Sequence, residues 1–180
     1  MKIKNNIGLE GLFRLQTFKK DSTEVVNDTG WFNNMILNTG LNQMISTNDY
    51  LAYACVGTGA NPVTATQTTL QTFLVNSAEG SSIGGGITGN PYYSFQRVRY
   101  QFPVGSAAGN LTEVGIRGGT TGNLFSRALI RDNLGNPTTF TVLGDEILQV
   151  TYELRCYPNQ DDVVINNVES SPRSNAYYYN

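Results

Sequence analysis

The side chains that usually carry enzyme chemistry are scarce in this chain. None of its 180 residues is histidine, so the commonest acid–base catalyst and the commonest metal ligand are both missing. A lysine can activate a serine nucleophile in place of histidine, but the lysines all precede Asp21, at Lys2, Lys4, Lys19 and Lys20. We therefore predict no catalytic triad or dyad, and no enzymatic activity.

The carboxylates and glycines do not form a recognisable site either. A glycosidase needs two carboxylates on facing elements, whereas the acidic residues are mostly solitary, and the pairs at 145–146 and 161–162 are explained by a turn and by solvation. No Asp-x-Asp-x-Asp-Gly run suggests calcium. The glycine-rich segment 80–91 lacks the Lys-Ser/Thr that follows a phosphate-binding loop. The sequence predicts no cofactor and no metal.

The two cysteines, Cys55 and Cys156, both lie in segments that alternate or are apolar like strands. A single disulfide between neighbouring strands is one interpretation. Two buried free thiols in a protein that is assembled in a reducing cytosol is the interpretation we favour. Their spacing carries no zinc or redox signature.

The charge content limits the classes of partner. Twelve basic and fourteen acidic side chains give a net charge of −2, and charged residues make up 14% of the chain, against about 25% in typical soluble domains. We predict no nucleic-acid binding and no membrane insertion, because there is no basic patch and no apolar run of about 20 residues. Asn, Thr, Ser, Gln and Gly must supply the polar surface. That composition fits either a loop-rich β domain or a surface suited to packing against other chains.

Alternating apolar and polar residues predict most of the secondary structure. The clearest strand alternates between two faces. One face carries Leu148, Val150, Tyr152, Leu154 and Cys156, and the other carries Gln149, Thr151, Glu153 and Arg155. A hairpin is predicted at 8–26, with further strands at 51–57, 92–104, 111–117, 124–130 and 138–142. The strand at 92–104 carries long or aromatic side chains on both faces, so we expect its second face to be covered by another element or another chain.

One short helix is predicted from Asn38, as the N-cap residue, to Ser46. Leu41, Met44 and Ile45 fall on one face, and Gly40 should weaken the helix slightly. Segment 80–91 is predicted to be a loop, too rich in glycine to hold a regular element and ordered by a neighbouring subunit.

These elements predict a mainly β fold: an antiparallel β-sandwich with one or two short helices over residues 1–157, followed by an extended C-terminal arm at 158–180. The arm cannot build a core of its own, so it either lies on another surface or frays. Because tyrosine and apolar residues are enriched at interfaces, we predict an assembly interface formed by Tyr92, Tyr93, Val163, Val164, Ile165, Tyr177, Tyr178 and Tyr179.

The order of sequence blocks points to a family. Trp-Phe-Asn-Asn-Met-Ile-Leu-Asn-Thr-Gly-Leu at 31–41 is followed by Val-Gly-Thr-Gly at 56–59, Leu-Thr-Glu-Val-Gly-Ile at 111–116, Leu-Phe-Ser-Arg-Ala-Leu-Ile at 124–130 and Phe-Thr-Val-Leu-Gly-Asp-Glu-Ile-Leu-Gln-Val-Thr-Tyr-Glu-Leu at 140–154. Over about residues 8–157 this series resembles tailed-bacteriophage virion proteins described as tail fibre, tail-tip or baseplate-associated. The resemblance implies a β-sandwich-like domain in a symmetric particle, with no catalytic residues to carry over.

The expected function is therefore structural, as a tail, fibre-attachment or baseplate subunit. Expected partners are copies of the same chain and other phage virion proteins, and the expected location is the virion, after assembly in the host cytoplasm. The alternatives are a receptor- or glycan-binding module at a fibre tip, a head decoration or head-fibre protein, and a hydrolase of host surface polymer. Glycan binding would require exposed aromatic side chains near Asn and Asp at loop ends.

Overall fold

The computed structural model describes residues 7–159, so the predicted C-terminal arm lies outside the described residues. The predicted mainly β, antiparallel fold class is confirmed. The described part contains one helix and twelve strands: β1 Gly8–Lys19, β2 Val25–Asp28, β3 Phe32–Asn33, β4 Met35–Ile36, α1 Asn38–Ser46, β5 Tyr53–Gly57, β6 Phe73–Ile87, β7 Tyr93–Gln101, β8 Gly109–Leu111, β9 Glu113–Arg117, β10 Leu124–Leu129, β11 Phe140–Val142 and β12 Glu146–Tyr157.

Ten of these strands form one curled antiparallel sheet. Its order is β2-β1-β12-β7-β6-β5-β9-β10-β4, with β3 also paired to β1, while β8 and β11 form a small second sheet. Only Asn34 separates β3 from β4, yet β3 pairs with β1 and β4 pairs with β10 at the other end of the order. The sheet therefore curls until its two ends meet at residues 32–36, and facing parts of the same sheet supply the layers around the core.

The core fills the inside of this curl. Phe13 on β1 and Phe125 on β10 both contact Tyr152 on β12, with ring centroids 4.9 and 6.3 Å away. The predicted inward row of β12 is confirmed, because Leu148, Val150 and Tyr152 are fully buried. Burying such large apolar side chains contributes about 1.5–3 kcal/mol each, so this row is a main source of stability.

The helix occupies the predicted residues, but its capping and packing differ from the prediction. Leu37, not Asn38, is the N-cap residue, and no side chain caps the helix. Leu37 is fully buried, so core packing rather than capping chemistry fixes where the helix starts. Ile45, predicted on the packed face, is 88% exposed.

The prediction that residues 80–91 form a loop is wrong for most of the segment. β6 continues to Ile87, and its residues from Ser81 to Ile87 pair with Arg99 to Tyr93 of β7. Glycine accepts extended backbone as readily as other conformations, at an entropic cost. Here that cost is met because β7 is already held by β12 on its other side.

Candidate assembly interface

The outer half of the β6–β7 hairpin extends beyond the body of the sheet. The first part of β6, from Phe73 to Ala78, pairs with β5, whereas the part beyond Ala78 pairs with β7 alone. All ten residues from Ala78 to Ile87 are exposed. An ordinary strand with one buried face alternates between buried and exposed residues. Both faces of this half-strand are therefore accessible.

The second edge of this half-strand is open. The backbone N–H of Glu79 still donates to the Ala52 carbonyl, at 2.9 Å. From Gly80 to Ile87, no strand within residues 7–159 pairs with the edge that faces away from β7. An unpaired edge presents backbone donors and acceptors that can add another strand.

The sequence along this edge has none of the usual protection against strand addition. Residues 80–87 read Gly-Ser-Ser-Ile-Gly-Gly-Gly-Ile, with no charged residue and no proline. The apolar side chains in it, Ile83 and Ile87, are 57% and 42% exposed. Natural proteins usually blunt an exposed edge with lysine, proline or a bulge. The only irregularity here lies between Glu79 and Ser81, at the start of the open edge.

The outer face of β7 and β12 carries arginines around a buried carboxylate. Glu153 is only 1% exposed, although the sequence placed it on the polar face of β12. It accepts hydrogen bonds from Arg97 Nε at 2.7 Å and from Arg155 Nε at 2.6 Å. The Arg97 guanidinium carbon lies 5.4 Å from the ring centroids of Trp31 and of Phe95. The second face of β7 is therefore only partly covered within residues 7–159: Arg97 packs against Trp31 and Phe95, whereas Arg99 and Gln101 are exposed.

Tyr93 and its neighbours continue this face toward the hairpin end. The Tyr93 ring lies 5.3 Å from the Tyr157 ring and 4.7 Å from the Arg155 guanidinium. Tyr157 donates a hydrogen bond to Glu10 at 2.6 Å, which raises the pKa of the phenol. Tyr93 is half-buried, and Tyr92, just before β7, is 37% exposed.

Of the predicted interface residues, Tyr92 and Tyr93 are thus brought to the hairpin. The other six lie outside the described residues: Val163, Val164, Ile165, Tyr177, Tyr178 and Tyr179. Sequence reasoning missed the open edge itself. The signal available in the sequence was the pair of isoleucines spaced within the glycine run.

The aromatic face reaches the open edge through a glycine. Gly85 pairs with Phe95, and a Cβ atom at Gly85 would lie 3.0 Å from two carbons of the Phe95 ring. The ring therefore lies over the Gly85 backbone. A larger side chain at position 85 would have to displace it.

A second cluster, buried in the body, has a structural role. Glu113 and Arg127 are both fully buried and form an ion pair at 2.7 Å. Glu113 also accepts backbone N–H groups from Gly59, Gln71 and Thr72, at 2.7–3.0 Å. This carboxylate fixes both ends of the loop between β5 and β6.

Arg127 has no donor left for a ligand. Its Nε and one Nη2 hydrogen point to Glu113, and its other groups donate to the Asn61 carbonyl and to Gln67 Oε1. A guanidinium carries five N–H donors, and these bonds use all of them. The cluster stabilises the loop and offers nothing to a substrate.

Both cysteines are free thiols, as favoured from the sequence, but only Cys55 is buried; the prediction that both are buried is wrong for Cys156. Cys55 is buried on β5, and burial raises the pKa of its thiol to about 12. A thiol with so high a pKa is almost entirely protonated near neutral pH and is a poor nucleophile. Cys156 lies half-buried on β12, away from Cys55.

An open groove lies beside β3 and β4, with a volume of about 840 Å³. Trp31, 40% exposed, forms part of its wall. Asn33, Asp132 and Asn133 also line it, and the Asp132 carboxylate is held by the backbone N–H groups of its own turn. The groove thus places one exposed indole beside loop-end Asn and Asp side chains, which is part of the cluster of exposed aromatic residues that the glycan-binding alternative requires; Phe32 in its wall is buried.

Within residues 7–159, no group of three or more Cys, Asp or Glu side chains is placed to hold a metal ion. No helix in that part of the chain is both long enough and apolar enough to cross a bilayer. Comparison with known proteins found no matching family, no matching curated protein and no matching solved structure.

Proposed function

We propose that this chain is a structural subunit of a tailed-phage virion, in a tail, fibre-attachment or baseplate position, and that it acts by protein–protein assembly without catalysis. Its partners are copies of itself and other virion proteins, joined after synthesis in the host cytoplasm. One observation carries the proposal: the β6–β7 hairpin presents an unpaired, uncharged edge and two accessible faces.

The physical reason is the cost of leaving such a surface in water. Ile83 and Ile87, the apolar residues of the open edge, are 57% and 42% exposed. Apolar patches joined to an open strand edge mark interaction sites on soluble proteins. Association would cover both the apolar side chains and the free backbone groups. The low charge content of the chain lowers the repulsion between packed subunits.

Purified phage particles test this proposal directly. We expect the chain to be present in particles at a fixed, symmetric copy number when they are analysed by mass spectrometry. Imaging of particles labelled on this chain should place it in the tail or baseplate; a label on the head would favour the head-decoration alternative. Absence of the chain from infectious particles would refute the structural role.

The Trp31 groove supports a second candidate, a receptor- or glycan-binding module. Sugars stack their apolar faces on aromatic rings, and the side-chain amides of Asn33 and Asn133 can hydrogen-bond hydroxyls. A glycan array screened with the full chain should then show binding that Trp31→Ala abolishes. Leu134→Ala, at an 81% exposed position of the same groove, is the matched control and should retain binding. An array with no signal would exclude this candidate for the glycans displayed.

A further inference from the structure

We infer that the open edge of β6 pairs antiparallel with the same edge of a second copy of this chain, about a twofold axis at Gly85. This inference rests on the assembly role proposed above and names the surface and the partner. The pairing would join two β6–β7 hairpins into one continuous four-stranded ribbon.

The sequence of the edge is what points to a second copy. Residues 83–87 read Ile-Gly-Gly-Gly-Ile, which is the same in both directions. A twofold interface is self-complementary, so each residue must suit the residue related to it by the axis. With the axis at Gly85, Ile83 of each copy lies opposite Ile87 of the other copy, which gives two Ile–Ile pairs. Ser82 then faces Thr88, and glycine faces glycine between the isoleucines.

The faces agree with this register. Ile83, Gly85 and Ile87 pair with Arg97, Phe95 and Tyr93 of β7, so all three lie on the outer face of the sheet. Opposite residues of an antiparallel pair point to the same face. Four isoleucines would therefore form one apolar patch across the axis. The Phe95 rings of the two copies, each lying over a Gly85 backbone, would border the patch.

Neighbouring registers are less favourable for identifiable reasons. Moving the axis to Ile83 places Glu79 opposite Ile87 and includes the irregular pairing at Gly80. Moving it to Ile87 places Pro91, which has no N–H to donate, opposite Ile83. In the register about Gly85, Glu79 faces Pro91, but both lie beyond residues 83–87, which are the β6 residues that pair with β6 of the other copy. Because residues 80–87 carry no charge, no like charges meet across the axis.

The test is a pair of double variants that differ only in the sign of one charge. In Ile83→Lys/Ile87→Lys, each lysine faces a lysine of the other copy. In Ile83→Lys/Ile87→Glu, each lysine faces a glutamate. Within one strand, positions 83 and 87 are about 13 Å apart, so the interaction inside one copy is weak in both variants. Ile45→Lys, at the 88% exposed position on α1, is the control for adding charge to an exposed isoleucine.

Sedimentation equilibrium of the full chain over a wide concentration range gives the readout, with circular dichroism as the check on folding. The wild-type chain and Ile45→Lys should form the same oligomer with an even number of subunits. The Lys/Lys variant should raise the dissociation constant by on the order of 100-fold or more, because isoleucine contacts are lost and like charges meet. The Lys/Glu variant should recover most of that loss.

Three results would overturn the inference: a wild-type chain that stays monomeric at high concentration, a Lys/Lys variant that assembles like the wild type, or a Lys/Glu variant as dissociated as Lys/Lys. A monomeric wild-type chain is also the expected result if the edge pairs with residues 160–180 of the same chain. If the Lys/Lys variant forms the same oligomer as the wild type, the β6 edge is not the interface, but the proposed assembly role is unaffected. Absence of the chain from phage particles refutes the assembly role independently of these measurements.

Discussion

A buried ion pair can stabilise a protein through the mutual attraction of its charges or through the hydrogen bonds that one partner makes to other groups. Replacement of the buried Glu113–Arg127 pair distinguishes these two contributions. A buried ion pair held only by mutual attraction can often be replaced by apolar residues without loss, whereas removal of one partner costs about 3–5 kcal/mol. Glu113 does more, because it also accepts the backbone N–H groups of Gly59, Gln71 and Thr72. These donors lose their acceptor whenever the carboxylate is removed, whatever stands at position 127.

The magnitudes follow from counting the groups left without partners. A buried donor without an acceptor costs about 1–3 kcal/mol. Only the bond from Gly59 is fully buried, whereas those from Gln71 and Thr72 are part-buried. The double variant Glu113→Leu/Arg127→Met should therefore lose at least about 1–3 kcal/mol of the free energy of unfolding through Gly59, with smaller losses from the other two donors. Arg127→Met alone keeps the three backbone bonds but leaves a buried carboxylate unpaired, so it should also lose about 3 kcal/mol or more. The free energy of unfolding alone thus separates the double variant from the wild type but not from Arg127→Met.

Urea unfolding measures the free energies, and amide hydrogen exchange distinguishes the variants. In Arg127→Met the amides of Gly59, Gln71 and Thr72 should keep their protection, whereas in the double variant they should exchange much faster. Asp145→Asn, which removes an exposed partner of Lys19, is the control and should leave both readouts unchanged. A double variant as stable as the wild type, with these amides still protected, would refute the reasoning that Glu113 anchors the loop.

Three further predictions concern single residues. Gly40→Ala should destabilise the protein by about 1–3 kcal/mol in urea unfolding. Alanine favours helix, but its Cβ would lie 2.0 Å from a carbonyl oxygen of β10. Gly144→Ala, with open space around it, is the control. In the native protein iodoacetamide should modify Cys156 faster than Cys55, because burial raises the pKa of the Cys55 thiol to about 12. Mass spectrometry of labelled peptides measures the two rates, and equal rates would contradict the burial of Cys55. Hydrogen bonding to Arg14 lowers the pKa of Asp28 below its ordinary value of 3.8. The stability that this carboxylate contributes is therefore present above pH 3.8 and is lost as the pH falls through the lower folded-state pKa. Asp28→Asn should flatten this part of the curve of unfolding free energy against pH, and an unchanged curve would contradict a stabilising role of the ionised Asp28.

The sequence was sufficient wherever a local pattern decided the structure. β1 and β12 were predicted because alternation over many residues specifies a strand with one buried face. The two-residue strands β3 and β4 were not predicted, because only their pairing with opposite ends of the sheet makes them strands. The role of Gly40 was missed for a similar reason, since the helix propensity of glycine says nothing about the β10 backbone that it contacts.

The candidate interface was only partly accessible from the sequence. Composition and the tyrosines indicated assembly, and Tyr92 and Tyr93 do lie at the hairpin. The edge was missed because residues 80–87 have the composition of a loop and become a strand by pairing with β7, the next strand along the chain, which β12 holds on its other side. Burial of Glu153 and Glu113 was missed as well, because some of their partners are distant in sequence. Arg97 is 56 residues from Glu153, and the backbone N–H groups that bind Glu113 are 41–54 residues from it.

The hairpin is suited to association because the edge is already held in its strand conformation. β7 pairs with β12 over Ser94–Gln101, and its Val98 and Tyr100 are fully buried in the core. β6 therefore lies on a strand that the core fixes, even where β6 itself buries nothing. A partner that adds to this edge does not have to order it first, which removes an entropic cost that a glycine-rich loop would impose on binding. The same glycines that make the segment resemble a loop leave its outer edge free of bulky side chains, so a second backbone can approach.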